Sequence, residues 1–226
     1  MEERILLHNV ILFILCQYFP NSLLAKENTV IVGIDEAGRG PLAGPVVAGA
    51  CVLNPLLKDH PLIRDSKVLT PEERQEAFAW IQKNCITGYG IAENIEIDTI
   101  GILASTEKAM QQAVSMIADF VRPTYLLIDG RDKFWFDYPH SSIIEGDSKE
   151  PCISAASIVA KVIRDRLMME HAKTYPRYGF EQHKGYGSPL HIEALQMFGP
   201  CPLHRQTFLT RILSAEASGT VQGQRQ

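Results

Sequence analysis

The sequence predicts one α/β domain with a mixed β-sheet flanked by helices. Three observations support this prediction: 46% of the 226 residues are hydrophobic, Val- and Ile-rich apolar runs come first, and helical patterns then alternate with strand patterns. A chain of this length and composition is typical of a single domain with its own core. We expect residues 29–215 to form the domain, residues 1–28 an N-terminal extension of unknown role, and residues 216–226 a disordered polar tail.

The predicted strands are short apolar runs rich in β-branched residues. They cover residues 29–35, 46–53, 86–92, 124–129 and 142–145. An aromatic segment, residues 131–140, is expected to form a loop or hairpin between the last two strands.

Helices are predicted at residues 71–84, 94–120, 151–173 and 189–198, with a shorter one after His204. The first has the clearest start, because Thr70 can cap it and Glu73 can complete a capping box. Apolar residues spaced close to a 3.6-residue period predict one long helix over 94–120, with some irregularity at its start. In the third helix, small alanines predict close approach to the sheet, and the basic side chains, including Arg164, are expected to face solvent.

The clearest chemical pattern is an apolar strand that delivers Asp35 and Glu36 into a glycine-rich turn. Neighbouring side chains of a continuing strand point to opposite faces, so these carboxylates can share a target only if the strand ends between them. Gly38, Gly40 and Gly44 favour such an end, because glycine reaches positive φ angles and lets backbone N–H groups approach a ligand. A solvated turn after an edge strand is the alternative.

Two later runs repeat this design, since each ends in an aspartate next to a glycine. These aspartates are Asp129 and Asp147. Carboxylates gathered at one edge of a sheet repel one another unless hard cations lie between them, and ligand sets made only of oxygen suit Mg²⁺ or Mn²⁺. Two such ions about 3.5–4 Å apart are the usual machinery for phosphodiester hydrolysis. The sequence therefore predicts a two-metal site.

Charge and cysteine content limit the function and the compartment. A net charge of −4 argues against a protein that coats nucleic acid in bulk. Residues 149–184 nevertheless carry seven Lys or Arg against four Asp or Glu, which indicates either contact with a polyanion or a solvated helical face. The five cysteines form no C-x-x-C pair, which argues against structural zinc or a disulfide framework and favours the reducing cytoplasm.

Residues 5–19 are strongly apolar, yet no positive segment precedes them and no cleavage pattern follows. The run is also short for a membrane span. We interpret residues 1–28 as a docked helix or an extension, with a targeting or anchoring segment as the alternative, and expect no membrane partner.

Several motifs together resemble the bacterial ribonuclease HII family. In chain order they are Asp35-Glu36-Ala-Gly-Arg-Gly-Pro, Asp65-Ser66-Lys67, Ile128-Asp129-Gly130, Gly146-Asp147-Ser-Lys, the run from Ser154 to Lys161, and His183-Lys184-Gly185-Tyr186-Gly187. The resemblance covers residues 30–208. It implies a ribonuclease H-like fold and an endonuclease that cuts on the 5′ side of ribonucleotides, in RNA–DNA hybrids or in duplex DNA containing single ribonucleotides. The products would carry 3′-hydroxyl and 5′-phosphate ends.

The resemblance also implies roles for individual residues. Asp35, Glu36, Asp129 and Asp147 would form the catalytic set and hold two divalent ions, Mg²⁺ or Mn²⁺, with Asp35 as the bridging ligand. The enzyme would act as a monomer.

Selecting a ribonucleotide requires sensing its 2′-hydroxyl. We expect backbone groups of Gly38, Arg39 and Gly40 to hydrogen-bond it, and Tyr186 matches the family tyrosine that packs on the next sugar. The side chains expected to contact phosphates, or else to be ordinary surface cations, are Lys67, Lys184 and Arg39.

Three other functions are open alternatives. A ribonuclease HIII-like enzyme would prefer long hybrids, but 28 residues are too few for the additional N-terminal domain of that type. A nucleotide-binding module is disfavoured because the glycine spacing misses G-x-G-x-x-G. An inactive nucleic-acid binder would be expected to lack one of the four carboxylates. The histidines left as structural or substrate-positioning are His183, His191 and His204.

Overall fold

The computed structural model describes residues 29–54, 62–63 and 66–210. The expected N-terminal extension and polar tail lie outside the described residues, as does Asp65 of the Asp-Ser-Lys motif. No helix within the described ranges is long and apolar enough to cross a membrane.

A mixed sheet forms the centre of the fold, as the sequence predicts. Its strands among the described residues are β1 Ile31–Ala37, β2 Val46–Val52, β3 Ile86–Ala92, β4 Tyr125–Asp129 and β5 His140–Ile143. They lie side by side in the order β3-β2-β1-β4-β5. β1 pairs antiparallel with β2, and β2 with β3, whereas the β1–β4 and β4–β5 pairs are parallel. β1 therefore lies in the middle of the sheet, between its antiparallel and parallel halves.

The helices flank this sheet. In chain order they are α1 Pro71–Asn84, α2 Asn94–Ile100, α3 Ile102–Ala118, α4 Gly146–Lys149, α5 Pro151–Thr174, α6 Phe180–His183 and α7 Pro189–Phe198, and residues 206–210 are also helical. The predicted capping box of α1 is present: the Thr70 hydroxyl accepts from the Glu73 N–H, and the Glu73 carboxylate accepts from the Thr70 N–H.

Two predicted boundaries are wrong. The helix expected over 94–120 is divided at Gly101, whose φ of 82° ends α2 before α3 begins. The last strand covers His140–Ile143 instead of 142–145, because Glu145 adopts a left-handed φ of 56° and turns the chain into α4. A single residue of positive φ leaves the apolar periodicity around it unchanged, so the pattern does not reveal the break.

Two long helices cover the opposite faces of the sheet at close range. A Cβ added at Gly49 of β2 would stand 2.2 Å from the carbonyl oxygen of Ala156 in α5. On the other face, a Cβ at Gly90 of β3 would stand 2.0 Å from the carbonyl oxygen of Ala109 in α3. Glycine in the strands and alanine in the helices let the backbones approach this closely. This confirms the close approach to the sheet that was predicted for residues 151–173, which form α5.

We expect Gly49→Ala to destabilise the fold by about 1–3 kcal/mol, because α5 must move away to admit the methyl group. Urea unfolding measures this change. Gly40→Ala is the matched control, since a Cβ there would meet nothing nearer than a Tyr186 ring carbon at 3.9 Å. Equal stability of the two variants would contradict the packing argument.

Candidate active site

Asp35 and Glu36 lie on β1, and the expectation that the strand ends between them is wrong. Antiparallel pairing with β2 continues past both residues, as far as Ala37 opposite Val47. The turn therefore begins only at Gly38, which has a φ of 98°. The Glu36 N–H donates to the Asp35 carboxylate at 2.7 Å, so a hydrogen bond joins the two residues although the strand continues.

Electrostatic coupling brings three of the predicted carboxylates into one group. Burial raises the pKa of Asp35 well above its usual range, and the charges of Glu36 and Asp129 raise it further, against a hydrogen bond from Ser157. Burial also raises the pKa of Glu36; Arg39 opposes this shift, and Asp129 adds to it. Since the Asp129 charge acts on both residues, the end of β4 and the end of β1 form one acidic group.

Asp147 lies on α4 and not at a strand end, which corrects the sequence prediction. The Gly146 N–H donates to Asp129 Oδ1 at 2.7 Å, which ties the first turn of α4 to the end of β4. Asp147, the next residue, is buried, and its Oδ2 accepts from Lys67 Nζ at 2.7 Å. The predicted phosphate contact Lys67 therefore lies against a predicted metal ligand.

The donor set fits a hard divalent cation. It consists of carboxylate oxygens, and the raised pKa of Asp35 reflects buried like charges that a cation would stabilise. Among the described residues, no group of three or more His, Cys, Asp or Glu side chains is arranged to hold a metal ion. Two of the predicted carboxylates form ion pairs instead: Glu36 with Arg39 at 3.2 Å and Asp147 with Lys67 at 2.7 Å.

The buried side chain of Arg205 holds the glycine turn from inside. Its guanidinium donates to the carbonyl oxygens of Gly38 at 2.6 Å, Arg39 at 2.9 Å and Gly44 at 2.8–2.9 Å. In a trans peptide the carbonyl and the following N–H point in opposite directions, and the described residues contain no cis peptide bond. The amides of Arg39 and Gly40 therefore point away from Arg205, toward the outside of the turn.

Arg164 of α5 supports the same turn, and the expectation that it faces solvent is wrong. Its side chain is fully buried and donates to the carbonyl oxygens of Pro45 at 3.0 Å and Ala43 at 3.3 Å. A Cβ at Gly38 would stand 2.0 Å from Arg164 Nε, so only glycine fits there. Burial, followed by the charge of Arg164, lowers the pKa of Arg205 to about 9.

Tyr186 lies across from the turn. An ideal Cβ at Gly40 would be 3.9 Å from its ring, and the guanidinium carbon of Arg164 lies 5.6 Å from the ring centroid. Tyr186 is 45% exposed, so part of the residue is open to a ligand. The Leu42 N–H donates to the Gly185 carbonyl at 2.8 Å and joins the two loops.

The other predicted phosphate contacts have intramolecular partners. Arg39 Nη1 bridges Glu36 at 3.2 Å and Asp132 at 2.7 Å. Lys184 has a left-handed φ of 53°, and its ammonium donates to the carbonyl of Glu181. Sequence reasoning gave no role to Arg205 or Asp132; their partners lie 93 to 167 residues away.

Solved structures with this fold define the class of protein. The ribonuclease H2 of Pyrococcus horikoshii OT3 aligns with a TM-score of 0.64 and 25% identity, covering 82% of this chain and 97% of that chain. The ribonuclease HII of Archaeoglobus fulgidus, solved in complex with PCNA, aligns with a TM-score of 0.66 and 23% identity, covering 78% and 94%. The chain has the ribonuclease H-like fold.

Sequence comparison defines the family. The family model described as Ribonuclease HII matches residues 32–211. Ribonuclease HII of Maricaulis maris strain MCS10 is 50% identical over 185 residues, which cover 80% of this chain and 83% of that protein. This chain belongs to the ribonuclease HII family, and is thus a ribonuclease H, a divalent-metal-dependent hydrolase that acts on nucleic acid.

We expect Arg205→Lys to lower the free energy of unfolding by about 2–4 kcal/mol, because an ammonium cannot reproduce the fork of donors that the carbonyls accept. Urea unfolding measures the loss. Arg166→Lys is the matched control, since Arg166 is exposed and bonds only the Gln75 side chain among the hydrogen bonds of the described residues. A loss no larger than that of the control would contradict the role assigned to Arg205.

Proposed function

We propose that the chain is an endonuclease that cuts on the 5′ side of ribonucleotides, in RNA–DNA hybrids and in duplex DNA containing single ribonucleotides. It would leave 3′-hydroxyl and 5′-phosphate ends and act as a monomer in the cytoplasm. The observation that carries this proposal is the turn held by Arg205: its Arg39 and Gly40 amides point away from Arg205, and Gly40 lies across from Tyr186. These amides are suited to hydrogen-bond a 2′-hydroxyl, the group that distinguishes RNA from DNA.

Asp35, Glu36, Asp129 and Asp147 are the proposed catalytic set, with Asp35 as the shared ligand of two ions, Mg²⁺ or Mn²⁺. When bound, such ions lower the pKa of an attacking water and stabilise a leaving 3′ oxygen. The burial of Asp35 and the coupling of Asp35, Glu36 and Asp129 support this assignment.

The cations beside these carboxylates have two proposed tasks. Lys67 and Arg39 offset the acidic charge while no metal is present, through their ion pairs with Asp147 and Glu36. A metal ion at those carboxylates would compete with the ion pairs and release both cations toward the phosphates of a duplex. Lys184 would contact the backbone near Tyr186.

The direct test is a gel assay on an end-labelled DNA duplex with one ribonucleotide, in Mg²⁺, Mn²⁺ or a chelator. We expect a single metal-dependent cut immediately 5′ to the ribonucleotide. Cleavage restricted to long RNA–DNA hybrids would support a metal-dependent nuclease without single-ribonucleotide selection, as in the HIII alternative. Absence of cleavage of either substrate would contradict the proposal.

Asp35→Asn is expected to lower the cleavage rate by at least about a thousandfold while duplex binding stays measurable, because it removes the shared metal ligand but none of the phosphate contacts. The raised pKa means that ionised Asp35 destabilises the metal-free fold above its unfolded pKa. The variant should therefore melt no lower than the wild type without metal. Turnover at the wild-type rate would exclude Asp35 from the catalytic set.

Gly40→Ala is expected to lower kcat/KM on the single-ribonucleotide duplex by about tenfold or more, because the methyl group enters the space between the turn and Tyr186. The melting temperature should stay near that of the wild type, since the methyl group makes only an ordinary contact at 3.9 Å. Wild-type kinetics would show that the substrate does not occupy this space.

A further inference from the structure

Three histidines form a compact stack behind Tyr186. The rings of His183 and His191 stack with centroids 4.4 Å apart, and the His191 and His204 centroids lie 5.2 Å apart. His191 and His204 are 0% and 1% exposed. Burial disfavours the protonated, charged form of an imidazole. Two buried imidazoles in contact are therefore both neutral, and each has one donor nitrogen and one acceptor nitrogen.

The hydrogen bonds define one neutral tautomer for each ring when they are followed from the Tyr186 carbonyl, which can only accept. His191 Nδ1 lies 2.9 Å from that carbonyl, so a neutral His191 carries its proton on Nδ1 and leaves Nε2 as an acceptor. His204 Nε2 lies 3.0 Å from His191 Nε2 and therefore carries the proton that joins the two rings. His204 Nδ1 then accepts from the Cys201 N–H at 2.9 Å, and the Cys201 carbonyl oxygen lies 3.1 Å from the same nitrogen.

His183 holds the residue before the tyrosine in the same way. The Gly185 N–H donates to His183 Nδ1 at 3.2 Å, and His183 Nε2–H donates to the carbonyl of Tyr178 at 2.7 Å. The segment from Gly185 to Tyr186 is therefore fixed by one imidazole acceptor and one imidazole donor.

The backbone of His204 is joined to the glycine turn. His204 forms a β-bridge with Ala43, and its neighbour Arg205 donates its N–H to the carbonyl of Leu42 at 2.8 Å. The backbone of His204 thus contacts the glycine turn, and its side chain reaches the Tyr186 loop through His191. His204 therefore aligns the two loops.

We propose that the His204–His191 pair is a positioning device for ribonucleotide recognition, which sets the place of Tyr186 relative to the glycine turn. The inference rests on the proposed function, because it assumes that Tyr186 contacts the sugar. Neither histidine touches the substrate in this proposal; both act through the Tyr186 carbonyl.

The device requires a neutral His191. A second proton on His191 Nε2 would face the Nε2–H of His204, so two donors would oppose each other. A proton on His204 Nδ1 would displace the Cys201 N–H, but the Cys201 carbonyl at 3.1 Å could accept it, and His204 Nε2–H would stay in place. The titratable groups around the pair are His183, Tyr178 and the Cys201 thiol.

Burial, followed by the charges of neighbouring histidines, lowers the pKa of His191 to about 4, against the hydrogen bond to Tyr186. The pKa of His204 is lowered as well, mainly by burial. Because the folded-state pKa values lie below the unfolded one, these histidines favour unfolding progressively as pH falls from about 6.5 toward 4.

Two amide substitutions separate positioning from folding. The Asn amide nitrogen can replace Nδ1 of a histidine, so His191→Asn keeps a donor for the Tyr186 carbonyl, whereas His191→Gln places its amide near Nε2 and loses that donor. Binding is measured in Ca²⁺ for an all-DNA duplex and for the same duplex with one ribonucleotide. His140→Gln, a change at an exposed histidine, is the control.

We expect His191→Gln to reduce the preference for the ribonucleotide by about fivefold, the effect of one lost hydrogen bond, with all-DNA affinity unchanged. His191→Asn should retain most of the preference. Imidazole ¹⁵N spectra of the wild type should show His191 protonated on Nδ1 and His204 on Nε2, with His191 unchanged down to about pH 5.

The outcomes distinguish this inference from the proposed function. A wild type that discriminates, together with a His191→Gln variant that discriminates equally well, would overturn the positioning role and leave the proposed function intact. A wild type that does not discriminate would overturn both, even if the spectra show the expected tautomers. Different tautomers would overturn the hydrogen-bond chain itself.

Discussion

Two buried arginines with backbone partners are the constraint on which the active-site region depends. Arg164 and Arg205 form no ion pair with a carboxylate in the described part of the chain; they donate to carbonyls of the turn between β1 and β2. Burying a guanidinium is unfavourable unless its donors are satisfied, and within the described residues only Arg164 Nη1 of these two groups lacks a partner. The turn must therefore keep its carbonyls inward, and its outward amides follow from that requirement.

The acidic group and the turn share one strand, so their charges are linked. β1 carries Asp35 and Glu36 near its end, and it leads directly into the turn that covers the two buried guanidinium groups. Arg39, which lies in this turn, forms ion pairs with Glu36 and Asp132. The charge of Arg39 opposes the rise in the pKa of Glu36 that burial causes, so it offsets part of the repulsion among the acidic residues.

The sequence was informative wherever the chemistry is local. The strands, the capping box at Thr70 and the glycine-rich turn all follow from short patterns, and the family resemblance supplied the ribonuclease H-like fold. The continuation of β1 past Glu36 was missed because it depends on pairing with β2, and the burial of Arg164 because a basic residue on a helix gives the same pattern in a core as on a surface. Arg205 was missed for a related reason: its partners lie more than 160 residues away.

The bond between Leu42 and Arg205 has a consequence for the order of folding. The turn after β1 is made early in the chain, yet its closure requires residues 203–205. Contacts of such large sequence separation form slowly, because the loop entropy must be overcome before they contribute stability. During synthesis the sheet and α5 can pack first. The glycine turn and the Tyr186 loop stay open until the segment around Arg205 leaves the ribosome. A nascent chain would thus assemble its acidic group before the loops proposed to select a ribonucleotide.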